Sequence, residues 1–138
     1  MVKLIIGHKG SGKTKKLVEA VNATTEASHG NVVCIEKGET LNFSVTHKAR
    51  LINIDTYGIQ GFDAFYGMLC GICAGNYDVT DIFSDATLKI VGKDFEHLAD
   101  FFDRIQALSE ETNTNFCFTV SADEEELPAK IFEVAEKY

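Results

Sequence analysis

The sequence predicts an α/β fold in which a mainly parallel β-sheet is covered by helices on both faces, a three-layer sandwich. Short runs of branched apolar residues alternate along the chain with longer segments whose apolar residues recur at helical spacing. A glycine-rich turn follows the first apolar run and leads directly into the first helical segment. Because parallel strands need crossover connections, this alternation favours a parallel sheet with helices on both sides.

The first strand–loop–helix unit contains the most specific motif of the chain. Val2–Ile6 reads as a short buried strand, and helical spacing begins at Lys13. Between them, residues 7–14 read Gly-His-Lys-Gly-Ser-Gly-Lys-Thr and match the Walker A pattern G-x-x-x-x-G-K-[ST] in the structural context that it requires. We therefore predict a P-loop that binds the phosphates of a nucleotide.

Each residue type in this loop has a chemical reason. The three glycines lack a Cβ, so backbone N–H groups can approach phosphate oxygens closely, and the helix N-terminus adds free N–H groups and a positive dipole end. We expect Lys13 to reach the β- and γ-phosphates and the Thr14 hydroxyl to hold Mg²⁺. The predicted nucleotide-binding residues are Gly7, His8, Lys9, Gly10, Ser11, Gly12, Lys13 and Thr14.

Asp85 is the second predicted element of the site. Ligands of open α/β sheets bind beyond the carboxyl ends of the strands, and Asp85 closes the predicted strand Thr80–Asp85. A carboxylate in that place can hold the Mg²⁺ shell beside Thr14, as Walker B acids do. We therefore predict Lys13 and Asp85 as catalytic residues, and Thr14 and Asp85 as metal ligands.

The group that would deprotonate or orient an attacking water is not evident from the sequence. Ala86 stands where many P-loop ATPases carry a glutamate. Glu36, Asp55 and Asp81 stay open as substitutes, and Ser121 is open either as a sensor of the γ-phosphate or as a turn residue.

The two arginines of the chain are weak candidates for an arginine finger. Arg50 opens a predicted strand, so we expect it at the end of the sheet opposite the site of its own chain. Arg104 faces out of a predicted helix, where we expect it to pair with Asp100 at i−4.

The rest of the chain supplies further strands and the covering helices. The remaining predicted strands are Val32–Glu36, Leu51–Asp55 and Asn115–Val120, with an edge strand at Thr40–Val45 and an extended piece at Leu88–Gly92. The predicted helices are Phe62–Asn76, a long amphipathic helix from the N-cap Asp94 to about Thr112, and a C-terminal helix from Pro128 to Tyr138.

One face of the predicted helix Phe62–Asn76 carries Gly67, Gly71 and Gly75. Each glycine costs a helix interior about 1 kcal/mol relative to alanine, so we expect another backbone to come close to this face. Two explanations stay open: packing against the sheet of the same chain, or contact with a protein partner or a second copy.

Composition and charge limit the class of ligand. The chain has 138 residues and a net charge of −8, which argues against a general nucleic-acid binder. Lysines nevertheless cluster around the glycine loop, as suits a small anionic ligand. No apolar segment is long enough to span a bilayer and the N-terminus does not resemble a signal peptide, so we expect one cytoplasmic nucleotide-binding domain over residues 1–138.

With loop, helix and acidic strand end in place, the chain resembles the P-loop NTPase superfamily, on its RecA-like side. More narrowly it is similar to short bacterial ATP-binding proteins labelled twitching-motility-like, through the segments Lys3–Gly7, Phe65–Ile72, Ile82–Asp85 and Ser121–Asp123. The resemblance runs over nearly the full chain. It implies binding of ATP with Mg²⁺, and a strand, here Phe116–Val120, between the P-loop strand and the Asp85 strand. Relatives often carry glycine where this chain has Ala86.

The resulting expectation is an ATP-binding protein that hydrolyses Mg·ATP to ADP and phosphate slowly or only with a partner. A small nucleoside or metabolite kinase is one alternative, although two arginines and no visible lid insertion argue against it. A non-catalytic nucleotide-dependent switch is another. A GTPase is disfavoured because the chain has no Asn-Lys-x-Asp motif.

Overall fold

The computed structural model describes every residue from Met1 to Tyr138 and contains one six-stranded, fully parallel β-sheet. The strands are β1 Val2–Gly7, β2 Asn31–Glu36, β3 Arg50–Asn53, β4 Val79–Ser84, β5 Asn115–Ser121 and β6 Glu136–Lys137. The α-helices are α1 Lys13–Ala27, α2 Phe62–Gly75, α3 Thr87–Val91, α4 Phe95–Thr112 and α5 Ile131–Val134. Two 3₁₀ turns cover Ile54–Tyr57 and Glu124–Glu126.

The order of strands across the sheet is β3-β2-β4-β5-β1-β6. β5 therefore lies between the strand that leads into the glycine loop and the strand that precedes Asp85, which confirms the inserted strand implied by the resemblance. The strands run the same way, so their carboxyl ends meet at one edge of the sheet, where polar loop residues can converge.

The sheet carries a separate hydrophobic layer on each face, which confirms the three-layer architecture. Alternate residues of a strand point to opposite faces. On one face α2, α3, α4 and α5 cover the sheet, and on the other face α1 and the β2–β3 connection cover it. The first layer centres on five almost fully buried phenylalanines: Phe65, Phe101, Phe102, Phe116 and Phe118.

Helix α4 has the predicted N-cap residue, Asp94, but the ion pair predicted for Arg104 is wrong. Asp94 accepts a hydrogen bond from the His97 backbone N–H at 3.1 Å, as an N-cap should. Arg104 does not pair with Asp100. Its guanidinium lies 3.8 Å from the centre of the Tyr66 ring and 3.5 Å from Asp63, because α2 packs beside α4 and offers an aromatic face and a carboxylate together.

Two connecting segments have a different secondary structure from the one predicted. Thr40–Val45 is a run of bends and turns and not an edge strand. Its backbone N–H groups donate to the Glu36 carboxylate and to the Leu41 carbonyl, and so are not free to pair with a strand. The segment predicted as extended, Leu88–Gly92, is largely the short helix α3. Its apolar side chains pack onto the phenylalanine layer.

The C-terminal segment was also predicted wrongly. The helix ends at Val134, and Glu136–Lys137 then pairs with β1 as the sixth strand, with the Tyr138 N–H donating to the Leu4 carbonyl at 2.8 Å. The open edge of β1 offers backbone partners that a helical continuation would leave unpaired.

The glycine face of α2 points to open space. Gly67, Gly71 and Gly75 are exposed, and a Cβ built on any of them would meet no atom within 4 Å. The expectation that the sheet of this chain packs closely against these glycines is therefore wrong. No helix in the structure combines the length and the apolar character needed to cross a membrane.

Candidate functional site

The glycine loop is the backbone of the candidate site. It connects the end of β1 to the first residue of α1, Lys13, as predicted. Gly10 and Gly12 have φ angles of 84° and 87°, a left-handed region that side chains with a Cβ rarely adopt. A Cβ on Gly7 would overlap the Ser11 hydroxyl. The backbone conformation of the loop thus favours glycine at positions 10 and 12, and Gly7 leaves room for the Ser11 side chain.

The first turn of α1 has free hydrogen-bond donors. Its N-cap residue is Gly12, which has no side chain to accept from the N–H groups of the turn. A helix leaves these N–H groups unpaired and places the positive end of its dipole beside them. A curved loop followed by such a helix end is suited to an anion with several oxygens, such as a polyphosphate.

Lys13 lies against this loop and is only 8% exposed. Its Nζ donates to the His8 carbonyl at 2.8 Å and lies 3.5 Å from the Ser11 hydroxyl. Burial lowers the pKa of Lys13, and the nearby carboxylate of Asp85 opposes that shift. The ammonium therefore lies against the loop and is influenced by the charge of Asp85, and an anionic ligand in the loop would add a further counter-charge.

The structure brings Thr14 and Asp85 together although 71 residues separate them in sequence. The Thr14 hydroxyl can donate to either carboxylate oxygen of Asp85, at 3.1 Å and 3.3 Å. A hydroxyl and a carboxylate oxygen beside the glycine loop are hard oxygen ligands of the kind that Mg²⁺ prefers. The donor set present therefore fits the predicted cation.

Thr119 is a residue of the site that the sequence analysis missed. Its hydroxyl donates to Asp85 Oδ1 at 2.7 Å and accepts from the Ala86 N–H at 2.9 Å. Thr119 lies on β5, and the register pairs its neighbour Phe118 with Ser84 on β4. A polar residue near the end of the inserted strand was the available signal. Thr119 orients the carboxylate and holds the backbone that follows it.

The backbone after Asp85 is strained. Ala86 has a φ of 54°, in the left-handed region, where a Cβ costs about 1–2 kcal/mol. A glycine at this position would adopt the same conformation without that cost. Thr87 follows it, fully buried, and its hydroxyl has no hydrogen-bond partner.

The three carboxylates considered for orienting water lie at very different places. Asp81 pairs with Asn115 near the amino ends of β4 and β5, so its proposed role is wrong. Asp55 follows the edge strand β3 and forms an ion pair with Lys37 at 2.6 Å, several strands away from the glycine loop. Glu36 alone ends a strand adjacent to β4.

Glu36 is 2% exposed and already has hydrogen-bond partners. One of its oxygens, Oε1, accepts from the backbone N–H groups of Thr40 at 2.9 Å and Leu41 at 3.2 Å. The Asp85 N–H donates to the carbonyl of Ile35, the residue before Glu36. Glu36 thus couples the strand beside Asp85 to the β2–β3 connection.

Residues on the other side of the loop adjoin it as well. Ser121 lies in register with Gly7 and is exposed. The His8 ring lies 3.9 Å from the Asp123 carboxylate, with both side chains exposed. Lys9 is exposed at the loop tip. Arg50 begins β3 at the amino end, as expected for a residue remote from this site.

Comparison with known proteins adds evidence on the fold. No protein-family model and no curated protein matches the sequence. Among solved structures, the chain is similar to the crystal structure of flagellar accessory protein FlaH from Methanocaldococcus jannaschii, with a TM-score of 0.59 and 18% sequence identity. The match covers 96% of this chain and 65% of that one.

The likeness is one of fold. At this level of identity it shows that the parallel sheet and its two helical layers form a three-layer α/β fold of the RecA-like kind. The chain spans 65% of the length of that neighbour.

Proposed function

We propose that the chain binds Mg·ATP at the loop Gly7–Thr14 and hydrolyses it to ADP and phosphate slowly or with a partner. The observation that carries the proposal is the contact of the Thr14 hydroxyl with Asp85 at 3.1 Å. It joins the last residue of the phosphate-loop motif to an acid that follows β4, the second strand from β1 in the sheet. A glycine turn before an ordinary helix would not need this acid.

Each group of residues has a separate role in the proposed binding of Mg·ATP. The loop backbone and the α1 N-terminus contact phosphate oxygens, and the Lys13 ammonium neutralises the outer phosphates. Thr14 and Asp85 would hold Mg²⁺, which would neutralise negative charge on the phosphates during phosphoryl transfer. Thr119 keeps the Asp85 carboxylate in place. These are positioning and electrostatic contributions, which dominate catalysis of phosphoryl transfer.

Glu36 is the best candidate for orienting the attacking water. It is the carboxylate whose strand adjoins β4. Its bonds to the N–H groups of Thr40 and Leu41 compete with that role, and this competition supports slow turnover. The same bonds support a second candidate, a nucleotide switch in which occupancy of the site changes the β2–β3 connection. For both candidate functions, the slow ATPase and the switch, we propose that a partner contacts the helix face with Gly67, Gly71 and Gly75.

The test is a calorimetric titration with ATP, ADP and GTP, with and without Mg²⁺, followed by a phosphate-release assay on the same samples. Wild type is compared with Lys13→Ala, Asp85→Asn and Glu36→Gln. Lys93→Ala, at an exposed lysine in the α3–α4 connection, is the matched control.

We expect Lys13→Ala to abolish ATP binding, Asp85→Asn to remove its Mg²⁺ dependence, and the control to bind as wild type. Glu36→Gln should keep binding and lose phosphate release. Binding with background release in wild type would favour the switch. Absence of binding by all three nucleotides would overturn the proposal.

A further inference from the structure

The outer side of β3 is an uncovered sheet edge. β3 pairs with β2 alone and ends the strand order. Outside that pairing, no backbone hydrogen bond involves Arg50–Asn53. An edge strand presents N–H and C=O groups that another extended chain can pair with. The geometry of the unpaired groups selects the kind of ligand, because a strand satisfies them in register and a helix or small molecule does not.

A concavity flanks this edge on each face of the sheet. On the α2 face it has a volume of about 460 Å³ and lies between Arg50 and Ile52 of β3 and Gly71 and Ile72 of α2. On the α1 face it has a volume of about 560 Å³ and is lined by residues 42–43 and 45–51. Successive side chains of a strand added to β3 would enter the two concavities alternately.

The edge is basic within an acidic protein. Lys48 and Arg50 line both concavities, and no acidic residue lines either one. The chain as a whole has a net charge of −8. Lys48 is held only loosely, 3.8 Å from Glu26, and Arg50 takes part in none of the ion pairs of the chain. The edge therefore offers unused positive charge to a ligand.

Apolar surface accompanies this charge. Ile52 and Ile72 are partly buried beside Val33 and Val79 in the floor of the α2-face concavity. On the α1 face, Phe43 is fully exposed at the rim. An exposed aromatic ring and a branched apolar floor bind apolar side chains better than polar ones.

We propose that the β3 edge binds an extended segment of another protein that alternates acidic and apolar side chains. Its backbone pairs with Arg50–Asn53, its acidic side chains point to one face and meet Lys48 and Arg50, and its apolar side chains enter the concavity on the other face. A second copy of this chain paired edge to edge is disfavoured, because β3 and the two concavities contain no acidic residue that could pair with Lys48 and Arg50 of the other copy. This inference is independent of nucleotide binding.

The experiment is selection of a displayed library of random ten-residue peptides on the full chain. Arg50→Glu serves for counter-selection, and Lys93→Glu is an equal charge reversal at an exposed lysine outside the edge. Selected peptides are synthesised and titrated, and amide exchange of residues 50–53 is measured with and without peptide. Sedimentation velocity of the free chain is run at the same concentrations.

Support requires selected peptides rich in alternating acidic residues, at least ten-fold weaker binding to Arg50→Glu, unchanged binding to Lys93→Glu and slowed amide exchange in β3. Added salt should weaken binding, because ionic contacts are screened. Peptides that bind Arg50→Glu equally well, peptides without acidic enrichment, or no selected peptide at all would overturn the proposal. A dimer that protects β3 would assign the edge to a second copy and overturn it too.

Discussion

Hydrogen bonds around one carboxylate organise the candidate site at the scale of single residues. Asp85 accepts from the hydroxyls of Thr14 and Thr119, which come from different elements. Thr119 also accepts from the Ala86 N–H, so one hydroxyl fixes both the acid and the strained backbone after it. Partners of this kind set the orientation of a metal ligand without touching the metal.

Thr119→Val removes both hydrogen bonds at nearly constant volume. We expect affinity for ATP in the presence of Mg²⁺ to fall about 10–100-fold, since Asp85 loses its orientation. Affinity measured in EDTA should stay unchanged, because the loop contacts are intact. Thr119→Ser, which keeps the hydroxyl, should behave as wild type in both titrations. An equal loss with and without Mg²⁺ would show that Thr119 supports only the fold.

Lys13 gives the site a predicted pH dependence. Burial lowers its pKa from the ordinary 10.5, with Asp85 acting in the opposite direction. The protonated ammonium attracts phosphate, so ATP affinity should fall as the pH rises through this lowered pKa, earlier than for an exposed lysine. Titrations at increasing alkaline pH measure the effect. Lys13→Arg, which stays charged, should show no such fall, and a parallel fall in both proteins would contradict the prediction.

At the scale of elements, α2 combines a buried face with an open one. Phe65 and Leu69 are fully buried, whereas Gly67 and Gly71 on the opposite side face open space. The glycines weaken the helix and gain no close packing within the chain. A helix that carries this cost on an exposed face is consistent with the proposed contact to a partner.

Replacing Gly67 and Gly71 by alanine should therefore stabilise the protein, by about 1 kcal/mol for each change. The added methyl groups meet no atom within 4 Å. Gly61→Ala at the start of the same helix is the control, because its φ of 91° strains an alanine and should lower stability. Urea unfolding measures all three variants. Destabilisation by Gly67→Ala or Gly71→Ala would show that this face is closely packed.

The whole molecule depends on the aromatic layer between the sheet and α2 and α4. Phe118 lies at the centre of this layer. Its ring contacts four other phenylalanine rings, with centroids 5.3–6.3 Å apart: Phe65, Phe101, Phe102 and Phe116. These rings bridge strands and helices that lie far apart in sequence. Loss of one ring should therefore weaken the whole fold and not a single element.

Phe118→Ala should lower the free energy of unfolding by about 3–5 kcal/mol, the usual cost of a large cavity in a core. Tyr77→Ala, at a fully exposed aromatic residue, is the comparison and should change stability by about 0.5 kcal/mol or less. Thermal and urea unfolding of both variants provide the measurement. Similar losses in the two would contradict the assignment of the core.

The sequence by itself determined the features whose residues are neighbours along the chain. The strand, glycine loop and helix start at Lys13 were predictable because a tight phosphate-type loop needs glycines at set intervals. The start of α4 was predictable because Asp94 caps the N–H groups directly after it. Alternation of strands and helices likewise sufficed for the three-layer class.

The tertiary structure alone decided which distant residues meet. Strand order placed Thr119 beside Asp85, because partners across a sheet depend on register and not on distance along the chain. The contact of Arg104 with Tyr66 and the pairing of Glu136–Lys137 with β1 arose in the same way. Local pattern specifies an element, and packing specifies its neighbours.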